Sequence, residues 1–310
     1  MKLLIIDTFY FLHRSFHAFP IEMQTSKGEH TNVIFGFTQS LLNAILQFNP
    51  THVVCAWESE DQPSFRKALY PKYQINRKSG DPEEEMIFKD QIPKVATLLK
   101  ELNIVRLFEN GFEGDDIVGT ISKKFSEEDP ASEIVIYTAD KDMLQLVDNN
   151  ISVFRPSSPP FIKSKLVDEK TFFEDYGFSS KQMIDYKALR GDPSDNIPGV
   201  YGIGDKTAKS LIIKFGSLEN IYENIDKIEK TGVRNKLLKN RENAFLSKQL
   251  STIITNIPID FDIENANIGL IDTDRAVNVF EKFEFTSLFN RLSSLKHLQM
   301  NLMPDISNLI

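Results

Sequence analysis

Cysteine is nearly absent: Cys55 is the one thiol in 310 residues, so no disulfide can close within the chain. It lies in the apolar run of residues 52–57, where a buried and inert thiol is expected. Long hydrophobic runs are missing as well. The start, MKLLIID, holds too few apolar residues before Asp7 for the core of a signal peptide. Nothing approaches the roughly 18 residues that a bilayer crossing needs, so a cytoplasmic protein without a membrane partner is expected. A basic excess is also lacking: the net charge is −8. Nucleic-acid binding normally shows as a surplus of Lys and Arg, so that function is open only if the acids themselves gather cations. Neither histidine nor cysteine clusters, which disfavours a zinc site.

What is present is ordinary in amount, with 41% apolar and 26% charged residues, and informative in arrangement. The length suits one large domain, or a catalytic domain with a smaller helical one. Short apolar runs at residues 3–6, 52–57, 104–108 and 134–137 read as buried strands. Amphipathic stretches at 33–48, 84–102 and 115–125 read as helices between them. The alternation predicts an α/β fold with a mostly parallel central sheet flanked by helices. From about residue 181 only helices are expected, at 181–190, 206–215, 218–224 and 241–251, separated by Gly- and Pro-rich turns. The boundaries expected are 1–180 for the catalytic domain, 181–292 for the helical domain and 293–310 for a tail. Residues 155–165 read as a loop or irregular hairpin. Residues 70–85, polar with Lys72, Arg77 and Lys78 and then acidic, read as a loop or an arch bordering a substrate channel.

The acids recur at strand ends. Asp7 follows the first strand, Glu58 the second, Glu113, Asp115 and Asp116 the third, and Asp140 and Asp142 the fourth. In a parallel sheet these ends share one edge, where ligands bind. Singly, Asp115, Asp116, Asp140 and Asp142 are explained as helix caps, and Asp192 and Asp195, in GDPSDNIP, as turn residues. Jointly, so many like charges around one crevice repel by several kcal/mol unless cations neutralise them. Hard oxygen donors favour Mg²⁺ or Mn²⁺. Two such ions suit in-line displacement at a phosphodiester.

Two further features fit a nucleic-acid substrate. Gly199, Gly202 and Gly204, in GVYGIGDKTA, precede a helix carrying Lys206 and Lys209. Glycines allow close backbone approach to a phosphate, and the helix start offers free N–H donors. The pattern suggests a helix-hairpin-helix type grip that positions a duplex without reading its sequence. Directly after Asp7, aromatic and basic residues mix. Phe9, Phe16 and Phe19 read as core, whereas Arg14 and Tyr10 or His13 are candidate contacts to phosphate or a terminal base pair. Arg66 is a similar candidate, although a lone arginine is more often a surface residue.

Four segments, IIDTFYFLHRSFHAF, GFEGDDIVGT, YTADKDMLQLV and LRGDPSDNIPGVYGIGDKTA, occur in the order found in the 5′ nuclease superfamily. Over nearly the whole chain, from residue 2 to about 292, the sequence resembles the 5′–3′ exonuclease domain of bacterial DNA polymerase I and its stand-alone relatives. That resemblance implies a PIN-like catalytic domain and a helical helix-three-turn-helix domain that grips duplex DNA, often with a K⁺ ion on backbone carbonyls. It implies a first metal cluster of Asp7, Glu58, Glu113 and Asp115, and a second of Asp116, Asp140, Asp142, Asp192 and Asp195. An arch receiving the 5′ single strand is implied at residues 70–95, as is a role in replication and repair. Two departures stand out. Glu58 occupies a position usually held by Asp, and Gln74 replaces a lysine that relatives use near the scissile phosphate; Lys72 or Lys78 is a substitute for it.

The reading is therefore a monomeric, structure-specific 5′–3′ exonuclease and flap endonuclease acting on flapped, nicked or branched DNA. It leaves 5′-phosphate products through two metal ions, with Arg77, Arg14 and Lys78 neutralising charge in the transition state. Its rivals are a degenerate nuclease that only holds junction DNA and an RNA-cutting enzyme on a related acidic α/β domain. Those RNA-cutting domains are usually shorter and lack the GVYGIGDKTA element.

Overall fold

A computed structural model describes residues 1–59, 62–76, 81–157 and 163–302. Strands β1 (Lys2–Asp7), β2 (His52–Ala56), β3 (Val105–Leu107), β4 (Glu133–Tyr137), β5 (Ile151–Arg155) and β6 (Lys165–Val167) form one sheet in the order β3-β2-β1-β4-β5-β6. Every pairing is parallel except β5 with β6. The α/β expectation holds. The loop expected at 155–165 is bounded by the antiparallel pair β5 and β6, and residues 158–162 lie outside the described set.

Alternation along the strands sends side chains to two separate cores. Leu3, Ile5, Val54 and Ile136 face one. Leu4, Ile6, Val53 and Val135 face the other. The first core is covered by α5 (Gly114–Glu128) and by the helical region, α7 (Met183–Arg190), α8 (Asp205–Phe215), α9 (Leu218–Glu223), α10 (Thr231–Lys239) and α11 (Arg241–Ser251). The second is covered by α1 (Thr8–Ala18), α2 (Asn32–Phe48) and α4 (Pro82–Glu101). The short helices α3 (Phe65–Leu69) and α6 (Glu169–Tyr176) complete this part of the chain. Helix α4 starts with Asp81 accepting from the Glu83 amide, Pro82 in the first turn and three glutamates after it. Each of these features satisfies or complements the free N–H groups of a helix start.

The C-terminal boundaries differ from expectation. Helices α12 (Thr273–Lys282) and α13 (Phe289–Leu302) return to the second core, on the side of the sheet opposite the other C-terminal helices. Helix α12 packs on α4 and α13 on α2. Residues 293–302, expected as tail, are helix, with Leu295 fully buried; residues 303–310 lie outside the described set. Among the described residues no helix is long and apolar enough to cross a membrane.

Candidate metal centre

The sheet register brings the acids together. Asp7 pairs with Ala56 and Ile6 with Tyr137, so the segments that follow β1, β2 and β4 emerge at one level. The result is a cavity of about 490 Å³ whose walls include Asp7, Glu58, Glu113, Asp115, Asp140 and Asp195. Tyr10, His13, Arg14 and Gln74 line it too. Beside it, Asp142, Asp192 and Asp195 each offer an oxygen within 4.8 Å of the others. Of the nine expected ligands, eight occupy one of these two neighbouring groups.

Asp7 caps α1 by accepting from the Tyr10 amide at 3.2 Å. Its other oxygen accepts from the Thr138 hydroxyl at 2.6 Å. Thr138 is fully buried, and its oxygen also accepts from the Asp140 amide at 3.0 Å. One hydroxyl thus ties the loop after β4 to the end of β1. The only sign of this in the sequence is Thr138's place directly after a strand. Burial, with Asp140 adding to it, pushes Asp7 up to about 6 despite the Thr138 and Tyr10 bonds. Asp115, in the first turn of α5, is held well above the usual carboxylate range by burial and then by Asp140, Asp7, Asp142 and Glu113. Glu113 accepts from the Tyr73 hydroxyl at 3.1 Å. Burial and the charge on Glu113 push that phenol upward, keeping it a donor.

The second group contains a cation that sequence reasoning missed. Lys187, only 5% exposed, donates to Asp142 and lies 3.0 Å from Asp192. Burial alone would lower its pKa, but the two carboxylates raise it and keep it charged. Asp142 is still pushed up to about 6, chiefly by burial. Asp192 is lowered, because Lys187 and bonds from Ser194 outweigh its burial. A lysine in the otherwise apolar Tyr186-Lys187-Ala188-Leu189 stretch was the available signal.

Two expected site residues are elsewhere. Asp116 is fully buried and points away from the cavity. Its oxygens accept from the Arg66 guanidinium twice at 2.7 Å, from the Ile254 amide at 2.8 Å and from the Glu113 amide at 3.2 Å. All its lone pairs are engaged, so none is left for a metal. Arg66, only 3% exposed, is its partner and also donates to the carbonyls of Leu250 and Thr252. It is an internal strut joining α3 and Asp116 of α5 to the end of α11, and its guanidinium is buried rather than presented at the surface. Neighbours on a helix differ in direction by about 100°, so Asp115 and Asp116 point different ways, and which of them meets the cavity is set by partners distant in the chain.

Arg14 donates to the Tyr10 hydroxyl at 3.0 Å and to the Ser157 carbonyl at 2.6 Å, which fixes it at the cavity wall. His13 stacks on Phe88 with ring centroids 4.5 Å apart. Gln74, at φ +56°, lines the cavity and donates its amide to the Asp195 carbonyl at 2.9 Å. Lys72 is exposed, and its carbonyl accepts from Asn196 at 2.8 Å. Residues 71–76 form turns, and residues 82–95 of the segment expected as an arch are part of α4. Arg77 and Lys78 lie outside the described residues.

The glycine turn follows the Asp192–Ile197 bridge and packs back on Gly191. Gly199 has φ +61°, and a Cβ there would meet the Gly191 nitrogen at 2.4 Å, so only glycine fits. Gly202 has φ +79°, and its carbonyl accepts from Lys236 at 2.9 Å. Gly204 precedes α8 and, with Lys206, is exposed. Lys209 sits over the Tyr176 ring at 5.1 Å.

The donor set fits divalent ions. The groups are hard oxygens, and burial and mutual repulsion raise Asp7, Asp115 and, even beside Lys187, Asp142, a penalty that cations relieve.

Residues 2–177 match the family model of the 5′–3′ exonuclease N-terminal resolvase-like domain, and residues 178–274 that of the 5′–3′ exonuclease C-terminal SAM fold. DNA polymerase I of Caldicellulosiruptor bescii is 37% identical over 98% of this chain and 35% of its own length. The thermostable DNA polymerase I of Thermus thermophilus is 35% identical over 95% of this chain and 33% of its own length. The chain therefore spans about a third of the length of these curated relatives. Among solved structures, T5 5′-exonuclease with bound zinc aligns over 96% of this chain and 100% of its own, with a TM-score of 0.67 and 20% identity. The catalytic core of Rad2 in complex with DNA substrate aligns over 97% of this chain and 92% of its own, with a TM-score of 0.59 and 16% identity. At these identities the structural matches speak to fold alone.

Proposed function

The chain belongs to the 5′–3′ exonuclease family, and on that premise we propose that it is a structure-specific 5′–3′ exonuclease and flap endonuclease. It hydrolyses DNA phosphodiester bonds with two or more Mg²⁺ or Mn²⁺ ions and leaves 5′-phosphate products. The observation that carries this reading is the convergence of Asp7, Glu58, Glu113, Asp115, Asp140 and Asp195 on one cavity. Divalent ions bound there supply Lewis acidity for a water and for the leaving oxygen. Asp7 is oriented for its part by Thr138, and Glu113 by Tyr73. Arg14, braced by Tyr10 and Ser157, presents a fixed cation to the phosphate, and Arg77 and Lys78, outside the described residues, are proposed to share in neutralising its charge. Duplex DNA rests on the exposed glycine turn and the start of α8, where Gly202, Gly204 and Lys206 face solvent.

Incubating labelled flap DNA with Mg²⁺ tests the reading, with EDTA as the control. Asp115→Asn is expected to lose roughly 10²–10³-fold in turnover while flap binding stays within about tenfold. Turnover like that of wild type in this variant at excess Mg²⁺ would refute the assignment. Gln74, standing in the cavity where relatives place a lysine, favours one second reading, a nuclease weakened into a junction-DNA binder. EDTA-sensitive cleavage excludes that alternative.

A further inference from the structure

Glu58 belongs to two cavities. On one side it faces the acids; on the other it borders a groove of about 480 Å³ between α4 and the edge strand β3, lined by Trp57, Lys89, Ile92, Arg106 and Phe108. The character of the surface changes across it. The Arg106 guanidinium lies over the Trp57 ring at 4.8 Å and over the Phe108 ring at 5.3 Å, so two aromatic faces hold it in place. Trp57 in turn meets Phe9, a wall of the acidic cavity, edge to face at 5.4 Å. Phe9, Trp57, Arg106 and Phe108 thus form one continuous run of rings and positive charge leading out of the acidic cavity. Phe108 is 44% exposed.

The sheet edge accounts for only part of this. A charge such as Arg106 protects an edge strand from pairing with another chain. It does not call for an open phenylalanine beside it, directly after the strand ends. A fixed cation next to an exposed ring matches what single-stranded nucleic acid requires, a phosphate contact and a stacking surface for a base. The size of the groove is that of a small-molecule site, too narrow for a duplex.

Resting on the reading of the acidic cavity as the cutting site, we infer that this groove is a subsite for the unpaired 5′ strand. One nucleobase stacks on Phe108 and the adjoining phosphate pairs with Arg106. The strand passes Glu58 between the two cavities, so the groove holds nucleotides already beyond the scissile bond. Flap length, rather than duplex structure, is what it senses.

Fluorescence anisotropy in EDTA, where nothing is cut, reads this directly. Two substrates are compared, one with a single-nucleotide 5′ flap and one with a flap of about ten thymidines. Wild type is expected to bind the long flap more tightly than the short one. Phe108→Ala should weaken long-flap binding about fivefold or more, the loss of one stacked base, and leave the short flap within about twofold. Phe108→Trp should restore the long-flap affinity, and Arg106→Ala should weaken it and steepen the preference for low salt less than in wild type. Replacing the flap bases by abasic sites should remove the effect of Phe108→Ala. Equal losses on both substrates, or no loss on either, would overturn the subsite. Because binding is measured without cleavage, the outcomes separate. A chain that shows the Phe108-dependent preference yet cuts no DNA with Mg²⁺ contradicts the proposed activity and supports the groove.

Discussion

The two halves of the acidic crevice solve the same problem in opposite ways. Around Asp7 and Asp115, Asp7 is held by the Thr138 hydroxyl and the Tyr10 amide, and burial with mutual repulsion drives both acids upward. Around Asp142 and Asp192, the protein supplies its own buried cation, Lys187. In the first half Arg66 lies 3.5 Å from Glu113 but is engaged mainly by Asp116, and Arg14 stands at the wall, so Asp7 and Asp115 lean more on ions from solution for charge balance. The second is already partly balanced, so an ion entering there meets less uncompensated charge. The lesson is that an acidic cluster is not one electrostatic object. Adjacent carboxylates can differ in what they demand of a metal according to which helix delivers a lysine.

Substitutions that reverse the two arrangements should separate them, starting with the largest effect. Lys187→Met leaves two repelling acids with their cation removed and is expected to cost the metal-free protein about 3 kcal/mol or more. Asp115→Asn in the other half should do the opposite, raising the metal-free melting temperature even as turnover falls roughly 10²–10³-fold. Thermal melts of both variants in EDTA would show shifts of opposite sign; shifts of the same sign would erase the distinction. Added Mg²⁺ should stabilise Lys187→Met more than wild type.

A pH series probes what the two halves still share. Asp7 and Asp142 move from 3.8 in the unfolded chain to about 6 in the metal-free fold. Between those values the folded state binds more protons than the unfolded one, so stability falls as pH rises through that window and the full penalty applies above about pH 6. The melting temperature in EDTA should therefore decline from about pH 4.5 to pH 7. The gain from Mg²⁺ should be larger at about pH 7.5 than at pH 5. A gain independent of pH would mean that ions do not bind these carboxylates.

The smallest effect is the most local. Thr138→Val removes the hydroxyl that orients Asp7 and receives the Asp140 amide, and should raise the Mg²⁺ concentration for half-maximal activity roughly tenfold. Thr138→Ser should restore it. A loss of maximal rate with unchanged Mg²⁺ dependence would assign Thr138 to the fold instead.

Much of this site is legible from sequence because strand ends are legible. Once residues 3–6, 52–57 and 134–137 read as parallel strands, Asp7, Glu58 and Asp140 must share an edge, and the register places them there. The misreadings concern direction and partner. Asp115 and Asp116 are equally acidic and equally close to a helix start, yet one faces the cavity and the other accepts four hydrogen bonds from Arg66 and two backbone amides. Arg66 looked like a surface arginine because its partner is 50 residues away. The short final helix α13 escaped notice because its apolar stripe is weak, and burial of Leu292 and Leu295 against the second core sustains it.

The sequence by itself determined the layered fold, the edge on which the carboxylates gather and the glycine turn that only glycine can make. Each follows from local rules: strand alternation, the shared end of parallel strands, and φ sterics. Only the tertiary structure decided which acids remain open to a ligand and which are consumed internally, that Lys187 neutralises one pair, and that the last two helices cross to the other core. Those outcomes depend on partners distant in the chain, and their energies come from desolvation and close pairing, neither of which exists until the elements have packed.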